Sequence, residues 1–311
     1  MSASNKSIYS ALIANLLIAI TKFIAGAISN SAAMIAEGVH SLVDTINQIL
    51  LLMGLRLSKK RADKLHPLGY GKELYFWSFV VSILIFGLGG GISIYQGVIH
   101  ILQPEKLGDP TWSYVVLALS IVFEGSSLII AAKEFNKLRE GLSWWQAIKQ
   151  SKDPSTFLVL FEDSAAVVGL FIVMICLFLS HSLNKPYIDG VASLLVGILL
   201  VFVSLILARE SRSLLKGEGI RMDTKKRIRQ ITEGDKSVLK LMHLMSTYQS
   251  PEEILLMLIV AFKPDLDTAE INDAIDRIRE EIKKEYKKVK FVIIQPEIYT
   301  DNVHPNVQKY I

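Results

Sequence analysis

Six long apolar runs separated by short polar joints make up residues 1–212 of the chain. The runs cover about residues 8–28, 32–57, 73–100, 112–132, 156–180 and 187–208. About 20 apolar residues are needed to cross the hydrocarbon core of a bilayer. Because lipid offers no hydrogen-bond partner to the backbone, each run is predicted to be a transmembrane helix. The pattern therefore predicts a six-span membrane domain over residues 1–212.

From residue 213 to residue 311 the pattern is that of a water-exposed domain. A polar helix, two strands, an amphipathic helix and a third strand are predicted at residues 223–232, 237–248, 252–262, 267–286 and 289–295. This αββαβ order predicts a small open sheet with two helices on one face. The predicted fold class is an α-helical membrane protein, six transmembrane helices, plus a C-terminal cytoplasmic α/β domain.

Composition and charge agree with a membrane protein and give it an orientation. The chain is 51% hydrophobic and has a net charge of +4. Most basic residues of the joints lie at 58–72 and 133–152, whereas the joints on the other side carry few. The positive-inside rule therefore predicts that both termini are cytoplasmic. No basic patch interleaved with aromatic residues is present, so nucleic acid is not an expected partner.

The single cysteine, Cys176, lies inside an apolar run and allows neither a disulfide framework nor a cysteine-rich metal site. Any bound metal must therefore use histidine and carboxylate ligands. No organelle signal is recognised, so the expected location is the plasma (inner) membrane, with the chain crossing the lipid bilayer several times.

The second span carries a polar stripe inside otherwise apolar sequence. Its members are three or four residues apart, which places them on one face of a helix: Glu37, His40, Asp44, Asn47 and Gln48. An ionisable residue within a span costs about 2.5–3.5 kcal/mol on insertion scales. Such a stripe is therefore expected to face the bundle interior or an aqueous cavity.

His40 and Asp44 offer an imidazole nitrogen and a carboxylate oxygen to one ion, a pairing that suits zinc and its first-row neighbours. The alternative is a polar packing cluster in which His40 hydrogen-bonds Asp44 or another span. The fifth span adds the adjacent acids Glu162 and Asp163. Since adjacent helical residues diverge by about 100°, one acid is expected to face the ion and the other to pair with Lys22 or take a proton.

Together the two spans predict a tetrahedral metal site of His40, Asp44, Glu162 and Asp163. The remaining polar residues of the spans are predicted to lie along a transport pathway, namely Glu37, Asn15, Asn47, Gln48 and Glu124. For Asn15 a helix-contact amide is the alternative, and for Glu124 an ion pair. Asp189 is expected to cap the sixth span.

Three motifs carry a resemblance to a known family. Residues 36–44 read Ala-Glu-Gly-Val-His-Ser-Leu-Val-Asp, residues 66–73 read His-Pro-Leu-Gly-Tyr-Gly-Lys-Glu, and residues 189–193 read Asp-Gly-Val-Ala-Ser. With the six-span order and the tail, this set resembles the cation diffusion facilitator family. The Glu-Asp-Ser-Ala-Ala sequence at 162–166 is similar to the branch that contains the human zinc transporter nine.

The resemblance implies a transporter rather than an enzyme: Zn²⁺ or a related divalent cation is the substrate, and protons are the counter-ion. It further implies alternating access, a homodimer and no small organic substrate. The implied site joins His40 and Asp44 to two positions of span five. The family often has His-x-x-x-Asp there, but the position matching its histidine is Val159. Glu162 is therefore expected to replace it.

Many relatives bind zinc in the tail through several histidines and aspartates, whereas this tail has only His243 and His304. Gln295 and Glu297 occupy positions where relatives often carry ligands, but glutamine is a poor one. The expected tail dimerises through its fold and binds metal weakly or not at all.

The sequence is also compatible with two other functions, a passive cation channel and a receptor or scaffold. A passive cation channel would use the acidic stripe to attract cations. A receptor or scaffold would use the spans as an anchor, although an anchor needs no buried carboxylates on two spans. The identity of the metal is also open, because one imidazole with carboxylates accommodates manganese or iron as well as zinc.

Overall fold

The computed structural model describes residues 3–105, 108–139 and 141–299. The membrane domain consists of α1 (Ala3–Ser29), α2 (Ala32–Ser58), α3 (Glu73–Leu84), a π-helical segment (Ile85–Gly91), α4 (Ile92–Leu102), α5 (Thr111–Leu138), α6 (Trp144–Gln150), α7 (Pro154–Ser182) and α8 (Tyr187–Lys216). The segments α3, π and α4 form one continuous span.

Within the described residues, five spans are long and apolar enough to cross a membrane, and they correspond to α2, the α3–α4 span, α5, α7 and α8. The part of α1 that qualifies as an apolar helix is Asn15–Ser29. Large apolar side chains such as Val122 and Phe202 are more than 60% exposed. In a bilayer these side chains face lipid, which replaces the burial that water would demand.

Local sequence explains where the site-bearing helices begin. The Ser31 side chain accepts a hydrogen bond from Met34 N at the start of α2, as an N-cap does. Asp153 is likewise the N-cap of α7, and its side chain accepts a hydrogen bond from Ser155 N. Pro154 follows at the first helical position. These caps determine where α2 and α7 begin.

The glycines of the third span have two structural consequences. Ile85–Gly91 forms a π-helical segment, a local widening that is frequent at functional sites. Further along, a Cβ added to Gly97 would lie 2.6 Å from Leu194 N, so α4 and α8 are in backbone contact there. Small residues allow this close helix packing in membranes.

The cytoplasmic domain consists of α9 (Met222–Gly234), β1 (Val238–Ser250), β2 (Glu253–Phe262), α10 (Thr268–Glu285) and β3 (Val289–Glu297). The sheet order is β1-β2-β3; β1 pairs antiparallel with β2, and β2 pairs parallel with β3. A parallel pair needs a crossover, which α10 supplies. Asp267 and Glu270 form the capping box that starts α10.

Both helices pack on one face of this sheet. Their buried residues form a single core with alternate residues of the strands: Ile228, Ile231, Ala274, Ile278, Ile282, Leu256, Leu258, Val260, Val292 and Ile294. The predicted αββαβ domain is confirmed.

Candidate metal-transport site

The polar stripe of α2 faces into the helical bundle. Glu37 and Asn47 are fully buried and His40 is 2% exposed, while Asp44 and Gln48 are half-buried. Lipid does not meet these groups, because α2 packs between α1, α3, α7 and α8. The stripe therefore lines the interior, as the three- and four-residue spacing predicts.

A cavity of about 120 Å³ lies beside this stripe. Its polar lining comes from four helices: Asn15, Ser41, Asp44, Gln48, Glu124, Ser127, Glu162 and Asp163. Since a water molecule takes about 30 Å³ of liquid volume, a metal ion with a few waters fits. The structure thus brings Asp44 of α2 together with both acids of α7.

His40 is adjacent to this group but does not line the cavity. Its Nε2 lies 3.5 Å from Asp44 Oδ2, and neither ring nitrogen has a hydrogen-bond partner among the described residues. A buried imidazole that serves packing alone is normally hydrogen-bonded, so the long contact with Asp44 favours a ligand role, which stays a prediction. The ring is therefore placed to accept an ion or a proton.

The two acids of α7 point toward different helices. Glu162 Oε1 accepts a hydrogen bond from Asn47 Nδ2 of α2 at 2.7 Å, and Asp163 Oδ2 accepts one from Ser127 Oγ of α5 at 2.7 Å. Both acids line the cavity, although adjacent helical positions diverge by about 100°. In the described parts of the chain, no three His, Cys, Asp or Glu side chains are grouped closely enough to hold a metal. The four-ligand site stays a prediction.

Lys22 does not pair with either acid of α7, so of the two alternatives for the second acid the pairing is wrong and the uptake of a proton stays a prediction. Its fully buried ammonium donates to Glu37 Oε2 at 3.1 Å, Ser41 Oγ at 2.8 Å and Glu124 Oε1 at 2.9 Å. The reason is helix order, since α1 packs against α2 and α5. Glu124 thus forms the ion pair of the alternative prediction, with Lys22 as its partner. It also lines the cavity beside the α2 stripe.

Ser41 and Ser127 are site residues that sequence reasoning missed. Ser41 is four residues after Glu37, and Ser127 is three residues after Glu124, so helical spacing places each serine beside an acid. Serine is common in transmembrane helices as a packing residue. The spacing is therefore the signal that could have identified them.

Asp189 does not cap its own helix. The N-cap residue of α8 is Pro186, and no side chain makes a capping hydrogen bond at this end of α8. Instead Asp189 accepts from Ser31 Oγ at 2.6 Å and from Ala33 N at 3.2 Å. It thereby satisfies the start of α2 and ties α2 to α8. The expectation is corrected from a cap within one helix to a cap between two helices.

The joint between α2 and α3 is an ordered turn. Asp63 Oδ1 accepts from the backbone nitrogens of Leu65 and His66, and Asp63 Oδ2 accepts from the Tyr70 hydroxyl at 2.6 Å. The Tyr70 hydrogen bond, followed by that of the His66 backbone, holds the pKa of Asp63 well below its usual range. His66 thus shapes the turn through its backbone.

In the tail, His243 lies on β1 opposite Ile259 of β2. Gln295 and Glu297 lie in β3, and His304 is outside the described residues. The expectation of weak or no metal in the tail stays a prediction.

Carboxylates gathered in the interior of an apolar helical bundle are typical of membrane transport proteins, because lipid excludes such groups unless an ion or water meets them. Residues 8–216 match the family model described as the cation efflux transmembrane domain, and residues 220–299 match the model described as the cation efflux protein, cytoplasmic domain. The chain belongs to the cation efflux family.

Individual relatives include a protein from Xenopus laevis named proton-coupled zinc antiporter SLC30A9, mitochondrial, which is 36% identical over 248 residues. The human protein of that name is 37% identical over 219 residues. These alignments cover 79% and 70% of this chain but only 43% and 39% of the relatives. The chain thus spans less than half the length of these two relatives. The manganese efflux system protein MneP of Bacillus subtilis is 24% identical, covering 95% of this chain and 96% of that protein.

Proposed function

We propose that this chain exports a divalent transition-metal cation, principally zinc, in exchange for protons. The observation that carries the proposal is the cavity in which Asp44, Glu124, Glu162 and Asp163 converge from three helices. A cavity lined by carboxylates binds cations, and the imidazole of His40 beside it favours zinc over calcium or magnesium. The zinc antiporter relatives add support.

The proposed metal ligands are His40 and Asp44 of α2 with Glu162 and Asp163 of α7. Glu37, Asn15, Asn47, Gln48 and Glu124 belong to the pathway. Binding of all four ligands to one ion requires their side chains to rearrange, because no three His, Cys, Asp or Glu side chains of the described residues are grouped closely enough for a metal. Glu162 Oε1 keeps its hydrogen bond from Asn47, and Oε2 is the oxygen that we propose to bind the metal.

Exchange for protons follows from ligand chemistry. Metal binding requires a neutral imidazole and ionised carboxylates, so loading releases protons and reprotonation favours release of the metal. An imidazole ordinarily titrates near neutral pH. His40 is the group we propose to exchange between proton and metal.

For orientation, we propose that both termini are cytoplasmic and that the membrane is the plasma (inner) membrane. The two basic joints lie at the same end as the tail domain: Lys72 Nζ donates to Leu215 O, and Lys152 pairs with Glu218. The positive-inside rule assigns that end to the cytoplasm. The domain limits we propose are residues 1–212 and 213–311.

We propose a homodimer that associates through the cytoplasmic domain. Apolar side chains of its strands are exposed in the single chain, with Leu239 50% and Ile293 54% exposed. A second copy would remove such side chains from water.

Zinc flux into proteoliposomes tests the function. The purified chain is reconstituted with a zinc-sensitive dye inside, and a pH gradient is imposed with an acidic lumen. An antiporter gives saturable zinc uptake that the gradient accelerates and an ionophore slows, together with counter-flow of labelled zinc. A channel gives uptake that neither saturates at low flux nor responds to the pH gradient. Manganese and iron offered in competition identify the preferred metal.

A further inference from the structure

Lys22 is a positive charge buried in the membrane domain next to the proposed metal site. Its ammonium contacts three oxygens on two other helices, at 2.8–3.1 Å, and its side chain is 0% exposed. The carboxylates around Lys22 outnumber its single positive charge. Glu37 and Glu124 contact the ammonium, and the other cavity acids lie beyond Glu124. A lysine held so deeply in a span needs a reason beyond packing.

Stability does not supply that reason. Replacing a buried ion pair with apolar residues of similar volume is often neutral or stabilising, since the desolvation of two charges offsets their attraction. In addition, Glu37 Oε1 is buried and has no hydrogen-bond partner among the described residues. The cluster is therefore imperfectly paired.

Glu124 connects Lys22 to the cavity. Its Oε1 is bound to the ammonium at 2.9 Å, and the same residue lines the cavity with Asp44 and Asp163. Its side chain is 15% exposed, in contrast to the fully buried Glu37. Glu124 can therefore be attracted either by Lys22 or by a cation in the cavity.

We propose that Lys22 is an internal counter-cation that competes with the transported metal for Glu124. Without metal, the ammonium holds the Glu124 carboxylate and partly balances the acids. A divalent cation in the cavity draws Glu124 away from Lys22, and the ammonium takes the carboxylate back as the metal leaves. Lys22 is a positioning residue that lowers metal affinity and thereby speeds release.

This inference rests on the proposed function, and its test is binding of Zn²⁺ to the full chain in detergent, measured by dye competition. Lys22→Gln removes the charge and frees Glu124, so we expect a Kd about tenfold lower than that of the wild type. Zinc turnover in proteoliposomes falls in the same variant because release slows. Lys22→Arg keeps the positive charge, so its Kd for zinc and its zinc turnover are expected to stay close to those of the wild type. Lys185→Gln removes an exposed lysine outside the cavity and leaves both unchanged.

A double-mutant cycle separates competition from a structural role. In the Glu124→Gln background, Lys22→Gln is expected to change the Kd by less than about threefold, because the contested carboxylate is gone. Lys22→Gln with Glu37→Gln replaces the buried pair by two amides and is a second variant for the case in which the single one misfolds. It is expected to bind zinc as tightly as Lys22→Gln.

An unchanged or higher Kd in folded Lys22→Gln would overturn the inference, and so would equal tightening in the Glu124→Gln background. These outcomes leave the exporter proposal intact if the wild type transports zinc. A wild-type chain that neither binds nor transports any divalent cation overturns the proposed function itself.

Discussion

Polar side chains are used in opposite ways in the membrane domain and in the cytoplasmic domain. In the cytoplasmic domain they are paired at the surface, as in Arg277 with Asp235 and the bidentate Arg227 with Glu285. In the membrane domain they are buried, and several atoms have no hydrogen-bond partner among the described residues: Glu37 Oε1, both His40 nitrogens, Asp44 Oδ1 and Asn47 Oδ1.

We attribute the difference to the proposed transport function, which needs buried polar groups that the fold does not need. A buried polar group without a partner costs about 1–3 kcal/mol, whereas a surface ion pair changes stability by about 0–1 kcal/mol. Among the described residues, five of the nine buried side-chain atoms without a partner lie on the stripe of α2, and the other four belong to Ser93, His100, Gln150 and Ser211. We infer that the stripe is kept for an ion rather than for folding, since proteins give up stability at active sites.

The largest effect is expected from removing the α2 ligands. His40→Ala and Asp44→Ala should each lower zinc transport at least about 100-fold, because even indirect partners of a ligand change metal affinity about 10–100-fold. The thermal midpoint is measured beside transport, because the loss of the buried imidazole also leaves a cavity that lowers stability. His243→Ala in the tail is the matched histidine control. Undiminished zinc transport in a variant that combines His40→Ala with Asp44→Ala would contradict the proposed metal site.

A smaller effect is expected at Asn47. Asn47→Ala leaves Glu162 without its hydrogen bond, at a cost of about 1–3 kcal/mol, which corresponds to about a tenfold loss of transport if Glu162 must be positioned. Initial rates at saturating and limiting zinc separate affinity from turnover. Thr45→Ala is the control, a substitution on the same helix. Equal transport by Asn47→Ala and Thr45→Ala would show that Asn47 does not position Glu162 for transport.

The cytoplasmic core should respond in stability and not in transport. Ile278→Val removes one methylene from the face of α10 that packs on the sheet, so it should destabilise the domain by about 0.5–1.5 kcal/mol. Hydrogen exchange of β2 amides in the full chain measures this loss. A comparable loss of zinc flux at 25 °C would show that the two regions are not separable.

The smallest effect is expected at the α2–α3 turn and depends on pH. The folded pKa of Asp63 is lowered, so its contribution is present above the unfolded value of about 3.9 and is lost as pH falls through the lower folded pKa. Amide protection of His66, corrected for intrinsic exchange, should stay constant from about pH 8 to pH 5. Tyr70→Phe should reduce it a few-fold. Loss of protection near pH 6 in the wild type would contradict this account.

Much of the architecture could be predicted from the sequence because periodicity and length determine it. The spans, the αββαβ order and the inward stripe of α2 all follow from spacing. The partners of Lys22 and the cap donated by Asp189 could not be predicted, since both depend on which helices are neighbours. Helical spacing fixes the face of a residue on its own helix and says nothing about the helix opposite.

The proposed site needs α2 and α7 to bind one cation together. Zinc K-edge X-ray absorption of the full chain loaded with one equivalent of Zn²⁺ tests it directly. We expect one imidazole and several oxygen ligands at about 2.0–2.2 Å, with the imidazole signal lost in His40→Ala and an oxygen lost in Glu162→Ala. An identical ligand shell in the wild type and in both variants would contradict it.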